Sequence, residues 1–284
     1  MASLLAQKSD ADSLAAAGLI ERPYDPPRSR ALLERALHAA PERPDLLWLA
    51  LQVCDTDPTC DAAALETRLL TAAPGNGAVY LNQLQRAKGD GNSALTQQAL
   101  NAFAQADHID TYWTILNARL SRAIISGSAT PPATAMLATI GYMSAIQSGG
   151  PEALMASCKN IANEPTAQER CRASAALLQQ ADTIWLEAVG VSLALQALPS
   201  DSPAYRALRG RQKDAKSRLF AGAKYERLMY TQNGVDKYIT LMAENRRERD
   251  VIDLWNEYAM KQEASPTARR RASLAAKVVA PKSL

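Results

Sequence analysis

The sequence predicts an all-α fold, an α-solenoid of antiparallel helical hairpins with roughly 14–16 helices. Apolar residues form 47% of the chain and are mostly Ala and Leu, which favour helices over strands. The segments ALLERALHAAPERPDLLWLAL, from Ala31, and ALETRLLTAAPGNGAVYLNQL, from Ala64, match at a period of 33 residues, and a weaker third copy follows. Short connections rich in Pro and Gly separate the periodic segments, as expected for helices that pack antiparallel.

Segments rich in Pro and Gly mark the ends of the predicted helices in the first half of the chain. We expect a short helix at 11–18, ended by the three prolines of ERPYDPP at 21–27. The turn GDGN at 89–92 ends another helix, and Asn92 or Ser93 can cap the next. Helices in this half are predicted at 28–40, 43–54, 60–73, 77–88, 92–106 and 110–126.

The second half begins after SGSATPP at 126–132, which is the best candidate for a break in the array. We therefore divide the chain into repeats at 28–126 and a further helical array at 132–284, packed continuously on the first, with a possible boundary near 128. Helices are predicted at 132–147, 151–162, 166–180, 182–198, 203–220, 221–231, 234–244, 248–262 and 266–276.

The segment 181–198 is apolar nearly all round, which is typical of a central, buried helix. Asp182 is placed to cap its start, and Gly190 to allow a neighbouring helix to approach closely. Glu187 is its one candidate for an acid whose pKa is raised by apolar surroundings, the alternative being a glutamate paired with an arginine.

The 33–34-residue period, the paired helices, the small residues at packing positions and a proline that ends the second helix together resemble the tetratricopeptide superfamily. The resemblance covers about residues 28–126 and implies a stack of helical hairpins that binds other molecules along its surface. The W-x2-L-G-x2-Y core of that family is absent, and Leu46, Leu49, Ala50 and Val53 fill comparable positions once.

The charge is unevenly placed. Residues 1–150 carry 11 Lys/Arg and 14 Asp/Glu, whereas residues 151–284 carry 21 and 15. Either the two halves have solvated faces of different sign, or the basic half recognises an acidic partner. Neither half is basic enough to predict nucleic-acid binding, and no segment reaches the length of a membrane span.

The four cysteines form two local pairs, Cys54 with Cys60 and Cys158 with Cys171. A turn signal lies between the members of each pair, so each pair can bridge the ends of consecutive helices. The alternatives are buried thiols or a metal site, although zinc sites use more closely spaced cysteines. Two disulfides predict an oxidising compartment, which for this chain means the periplasm. No signal peptide is visible in MASLLAQKSDADS, an absence that an exported mature form would share.

The pattern LWLALQVC…C followed by LxAAPxN and GDGN resembles exported helical-repeat proteins of Gram-negative bacteria. Some similar periplasmic proteins are immunity proteins, which neutralise antibacterial effectors injected by rival cells. The resemblance implies that the partner is an effector protein of a rival cell. Binding of this chain would cover the active site of that effector.

Motifs for catalysis are absent from the sequence, which has no G-x-S-x-G, H-E-x-x-H, P-loop or dinucleotide fingerprint. The only two histidines, His38 and His108, occupy helix-end and turn positions that indicate structural roles. We therefore expect a non-enzymatic protein without a cofactor or metal. A peptidoglycan-acting enzyme that uses Glu187 is the enzymatic alternative.

Two sets of residues are candidates for partner binding. The aligned positions Leu47, Tyr80 and Trp113, with Tyr112 beside the last, place aromatic side chains in a row, which indicates either interface anchors or inter-helix packing. The basic set indicates either a docking surface for an acidic partner or salt bridges along helix surfaces. It contains Arg246, Arg247 and Arg249, followed by Arg269, Arg270 and Arg271.

The sequence thus favours a protein-binding helical-repeat protein of the periplasm, with an immunity protein as its most concrete form. A scaffold or assembly factor of envelope machinery is the alternative in the same class. The oligomeric state and the identity of the partner are not encoded in any motif.

Overall fold

A computed structural model describes residues 1–54, 59–146, 150–159, 164–223 and 226–263. These residues form α-helices and one short 3-10 helix at Glu226–Tyr230 and contain no strand, which confirms the all-α prediction. The α-helices are α1 (Ala2–Leu5), α2 (Ala11–Glu21), α3 (Pro26–Ala39), α4 (Pro44–Cys54), α5 (Ala62–Ala72), α6 (Ala78–Gly89), α7 (Ser93–Ala104), α8 (Trp113–Gly127), α9 (Pro132–Ala145), α10 (Gly150–Ser157), α11 (Pro165–Leu178), α12 (Ile184–Gln196), α13 (Pro203–Ala223), α14 (Gln232–Glu244) and α15 (Glu248–Glu263).

Short polar side chains begin many of these helices. Asp61 before α5 and Asn92 before α7 each accept a hydrogen bond from the backbone N–H three residues later, at 3.0 Å. Such caps satisfy donors that the first helical turn leaves without partners. Of the two predicted caps of α7, Asn92 and Ser93, Asn92 is the one that the structure shows.

Two predicted elements differ from the structure, and a third cannot be compared with it. The break at 21–27 is shorter than expected because α3 begins with Pro26 and Pro27, whose missing N–H groups are tolerated in a first helical turn. The predicted helix at 221–231 is replaced by the end of α13 and the 3-10 helix. The predicted helix at 266–276 lies outside the described residues.

The ends of α3 and α5, which stand one 33-residue sequence period apart, have similar backbone conformations. The C-caps Ala40 and Ala73 stand 33 residues apart and have φ and ψ of −147° and 74°, and of −139° and 70°. After α7 the equivalent end differs, with Gln105 in a right-handed helical conformation. The turns after α5 and α7 lie side by side, since Gly77 N–H donates to the His108 carbonyl at 2.7 Å.

Most helices that follow one another in sequence pack together, and α8 also packs against α1, α2 and α14. One hydrophobic cluster contains side chains from Leu5 to Leu193, so the segments before and after residue 128 share a core. A second cluster surrounds Trp255 between α8, α9, α14 and α15. Contacts between distant helices go beyond the nearest-neighbour contacts of a linear solenoid. The solenoid arrangement and the division near residue 128 stay predictions.

Both predicted disulfides are present, and no cysteine is free. Cys54 at the end of α4 is bonded to Cys60 before α5, with 5.4 Å between their Cα atoms. Cys158 after α10 is bonded to Cys171 on α11, with 5.8 Å between their Cα atoms. Among the described helices none is both long and apolar enough to traverse a lipid bilayer.

Candidate partner-binding site

The aromatic pair Tyr112–Trp113 stands where α8 begins. Tyr112 precedes the helix in the left-handed conformation, at φ 57°, which costs a residue with a Cβ about 1 kcal/mol. Its N–H donates to Asp110 Oδ1 at 2.8 Å, and its hydroxyl accepts from Asn76 Nδ2 at 3.2 Å. Burial raises the pKa of the Tyr112 hydroxyl to about 12. Tyr112 is therefore half-buried and held from several sides.

Asp182 holds the same helix start from the opposite side. Its Oδ2 accepts hydrogen bonds from Thr111 N–H at 2.9 Å, from Thr111 Oγ1 at 2.7 Å and from Trp113 N–H at 3.3 Å. The prediction that Asp182 caps α12 is wrong, since Thr183 accepts from Leu186 N–H and caps that helix. A carboxylate at the start of α8 instead meets the positive end of that helix.

The connection between α14 and α15 closes this region. Glu248 N–H donates to the Asp182 carbonyl at 2.7 Å, and Glu248 Oε2 accepts from Ile184 N–H at 2.9 Å. Thr114 Oγ1 donates to the Arg246 carbonyl at 3.1 Å. We call this contact between residues 110–114, 182–184 and 246–248 the junction. Three helix starts and one helix end meet in it.

The three arginines predicted to bind a partner all pair within the molecule. Arg246 donates to the Ile109 carbonyl at 2.9 Å and lies 2.8 Å from Asp110 Oδ2. Arg249 is bonded to Glu187, and Arg247 lies 4.0 Å from the same carboxylate. The guanidinium groups therefore serve as intramolecular partners, although half of the Arg246 side chain stays exposed. Arg269, Arg270 and Arg271 lie outside the described residues.

The aromatic row is mostly internal. Trp113 and Leu47 are buried in the main core, and Tyr80 on α6 is half-buried against it. This placement fits the inter-helix packing that the sequence offered as the alternative to interface anchors. The structure brings Tyr112, Trp113 and Arg246 together at the junction, and places Tyr80 on another helix.

Glu187 is buried on α12, where its carboxylate carries the ion pairs with Arg249 and Arg247. This arrangement matches the paired glutamate of the sequence alternatives. Within the described residues, no three or more His, Cys, Asp and Glu side chains are grouped to hold a metal ion.

An apolar groove of about 550 Å³ lies between α3 and α5, with α4 as its floor. We call it the α3–α5 groove. Its apolar walls are formed by side chains from all three helices, namely Leu33, Leu37, Ala50, Val53, Ala64 and Leu65. Arg30, Glu34, His38, Asp61 and Arg68 stand at its rim. An apolar lining with a polar rim is the composition of a site that accepts apolar side chains.

Arginines bridge the groove at two places. Arg30 of α3 donates to Thr59 Oγ1 in the connection before α5. Arg68 of α5 donates to the Pro41 carbonyl after α3, at 3.3 Å. Together with the Cys54–Cys60 disulfide beside it, these contacts link the two wall helices across the groove. The groove is thus pre-formed, which lowers the entropic cost of binding.

Comparison of the chain with known protein families, curated proteins and solved structures found no match.

The groove residues were absent from the sequence-based candidates, although a signal for them exists. The walls come from the first helices of two repeat copies, and Leu65 and Arg68 occupy positions that match Leu32 and Arg35. In addition, Ala64 is a small residue on the groove side of α5. The sequence indicated the repeat but could not show that α3 and α5 stand apart over α4.

Proposed function

We propose that this chain is a non-enzymatic protein-binding protein of an oxidising compartment, and that its α3–α5 groove receives apolar side chains of the partner. The observation that carries the proposal is the pre-formed groove, whose walls are apolar and whose rim is charged. Apolar anchors that enter such a groove supply most of the affinity of many protein interfaces.

The compartment is part of the proposal and draws on the two disulfides. Both bridges link helices that follow each other in sequence, and disulfides of this kind persist where thiols are not kept reduced. For a bacterial chain this compartment is the periplasm. The most concrete form of the function is an immunity protein, in which a repeat-based helical surface covers the active site of a secreted antibacterial effector.

Blocking the groove tests the proposal. Ala64→Glu puts a charged side chain between the walls, whereas Ala63→Glu puts the same side chain on the exposed surface of α5 one residue earlier. Both substitutions lie in the first turn of α5, where a carboxylate suits the helix dipole, so both variants should fold. We expect Ala64→Glu to weaken partner binding at least tenfold, about 1.4 kcal/mol, and Ala63→Glu to leave it unchanged.

The immunity form predicts that a reading frame next to that of this chain encodes a secreted hydrolase, and such a hydrolase is the partner to test. Periplasmic expression of the chain should protect a sensitive strain against that hydrolase, and calorimetry on the purified pair should give the affinity. Failure to protect and failure to co-purify together would contradict the immunity form. Equal binding by the two variants would contradict the role of the groove.

A further inference from the structure

The junction joins parts of the chain that are far apart in sequence. Thr111 and Asp182 are separated by 71 residues, and Ile109 and Arg246 by 137. Glu248 N–H donates to the Asp182 backbone carbonyl, and the Glu248 carboxyl accepts from Ile184 N–H, so the α14–α15 connection packs directly against residues 182–184, beside the Asp182 and Glu248 carboxyl groups. Their charge state therefore bears directly on how firmly α14 and α15 are held.

Asp182 and Glu248 are acids in the interior without a matching cation. Among the described residues, the ion pairs of this region connect Arg246 to Asp110, and Arg247 and Arg249 to Glu187. Asp182 is buried, and its Oδ1 has no hydrogen-bond partner in the described part of the chain. A buried carboxylate that lacks both a cation and full hydrogen bonding is costly when ionised.

We propose that the junction is a pH-dependent joint, which holds α14 and α15 most firmly in acid and loosens as the pH rises towards neutral. Asp182 is the main sensor, and Glu248 acts in the same direction. The bonds that open are those from Glu248 and Arg246 to the starts of α12 and α8.

The electrostatic surroundings of Asp182 favour its protonated form. Burial is the main cause that raises the pKa of Asp182, to about 7 from its ordinary 3.8, and the charge of Asp110 adds to it. The donors Thr111 and Trp113 oppose this shift by bonding to Oδ2. Burial also raises the pKa of Glu248, whereas hydrogen bonds from the Ile184 N–H and the Trp113 side chain act to lower it.

The other charged or titratable groups near the joint lie on each element that packs there. They are Asp110 before α8, Glu187 on α12, Tyr238 on α14, and Arg246, Arg247 and Arg249 at the start of α15. The arginines stay charged throughout the range considered and are already paired with Asp110 and Glu187. They therefore contribute no change of charge near neutral pH.

The sign of the effect follows from proton linkage. A closed joint keeps Asp182 protonated up to about pH 7, whereas an opened joint releases that proton above its ordinary pKa of 3.8. The stability of the closed joint therefore falls as the pH rises from 3.8 to about 7, and it stays constant above that pH. For a single group with these pKa values, the opening constant rises about a hundredfold between pH 5 and pH 8.

Hydrogen exchange on the full-length oxidised protein measures the opening. We expect the protection of α15 amides, corrected for intrinsic exchange rates, to fall about a hundredfold from pH 5 to pH 8, whereas α6 amides keep theirs. A carbon-13 titration of the Asp182 carboxyl should show ionisation near neutral pH. Equal protection of α15 at both pH values, or ionisation of Asp182 near pH 4, would overturn the proposal.

Substitutions separate a sensor from a merely structural group. Asp182→Asn keeps an oxygen for Thr111 and Trp113 but cannot ionise, so we expect the pH dependence of α15 protection to fall to the smaller part that Glu248 contributes. Glu257→Gln is the matched control. Glu257 is an exposed carboxylate on α15, and its replacement should leave the pH dependence of α15 protection as in the wild type.

A third variant keeps the test informative if Asp182→Asn does not fold. Thr111→Val removes the Oγ1 donor that favours the ionised form, so the loss of protection should shift to higher pH. A uniform loss of protection at every pH would instead show a packing defect and count against the sensor. A wild-type pH dependence in Asp182→Asn would also overturn the proposal.

Discussion

At the scale of single residues, Glu187 shows how the interior of this protein tolerates charge. Its side chain is almost fully buried on α12, yet Arg249 and Arg247 reach it from the start of α15. Removal of the carboxylate leaves the partly buried arginine charges without an opposite charge. The resulting loss of unfolding free energy exceeds the net contribution of the intact ion pairs. Glu187 is therefore a structural partner of α15.

We expect Glu187→Gln to lower the free energy of unfolding by about 2 kcal/mol, because the amide retains the shape but not the charge that Arg249 needs. Urea unfolding measures the change. Glu244→Gln, at an exposed position near the end of α14, is the control and should stay within about 0.5 kcal/mol of the wild type.

The same variant addresses the enzymatic alternative. If wild-type protein digested peptidoglycan and Glu187→Gln abolished that activity while folded, the proposed binding function would be wrong. If neither protein digests the polymer, Glu187 has the structural role that its ion pairs indicate.

At the scale of helices, α11 and α12 approach each other closely at Gly190. A Cβ at this position would lie 2.7 Å from the Gln179 nitrogen and 2.7 Å from Leu178 Cβ. The sequence-based expectation that Gly190 permits a close helix approach is therefore met by the geometry. Gly141 on α9 is the opposite case, since an added Cβ would meet no atom within 4 Å.

Two alanine substitutions compare these glycines. We expect Gly190→Ala to destabilise the protein by about 2 kcal/mol, because backbone atoms of α11 must move. Gly141→Ala should stabilise it by up to about 1 kcal/mol, since alanine favours a helix interior. Thermal unfolding followed by circular dichroism gives both values, and a stabilising Gly190→Ala would contradict the close packing of α11 and α12.

Local signals explain why the helices could be predicted. Caps such as Asn92, turns such as GDGN and the cysteine pairs involve residues close in sequence, so their roles are readable without tertiary structure. The junction could not be predicted in this way, because Asp182 meets Thr111 across 71 residues. Asp182 was the expected cap of α12, but its carboxyl bonds to the start of α8, and Thr183 caps α12 in its place.

At the scale of the whole molecule, the disulfides and the shared core together determine stability. The Cys158–Cys171 bridge spans 13 residues and the Cys54–Cys60 bridge spans 6, so the first closes the longer loop. In the chain-entropy description a longer loop gives the larger stabilisation.

We expect the double variant Cys158→Ser with Cys171→Ser to lose about 3 kcal/mol of unfolding free energy, and the corresponding Cys54, Cys60 variant to lose about 2 kcal/mol. Denatured wild-type protein should show no free thiol before reduction, and the four cysteines of the sequence after it. Four free thiols in protein purified from the periplasm would remove the argument for an oxidising compartment.

The packing of α8 against α2 limits how this protein can change in length. Linear repeat proteins gain or lose whole units during evolution, because each unit touches only its neighbours. Here the repeats between α3 and α7 lie in sequence between two helices that must meet, and α8 also carries α9 and α14. Duplication or deletion of one 33-residue unit would move α8 away from α2 and open the core. We therefore expect insertion or deletion of a whole helical hairpin between α3 and α7 to disrupt the core that α2 and α8 share, and changes in exposed loops to be tolerated.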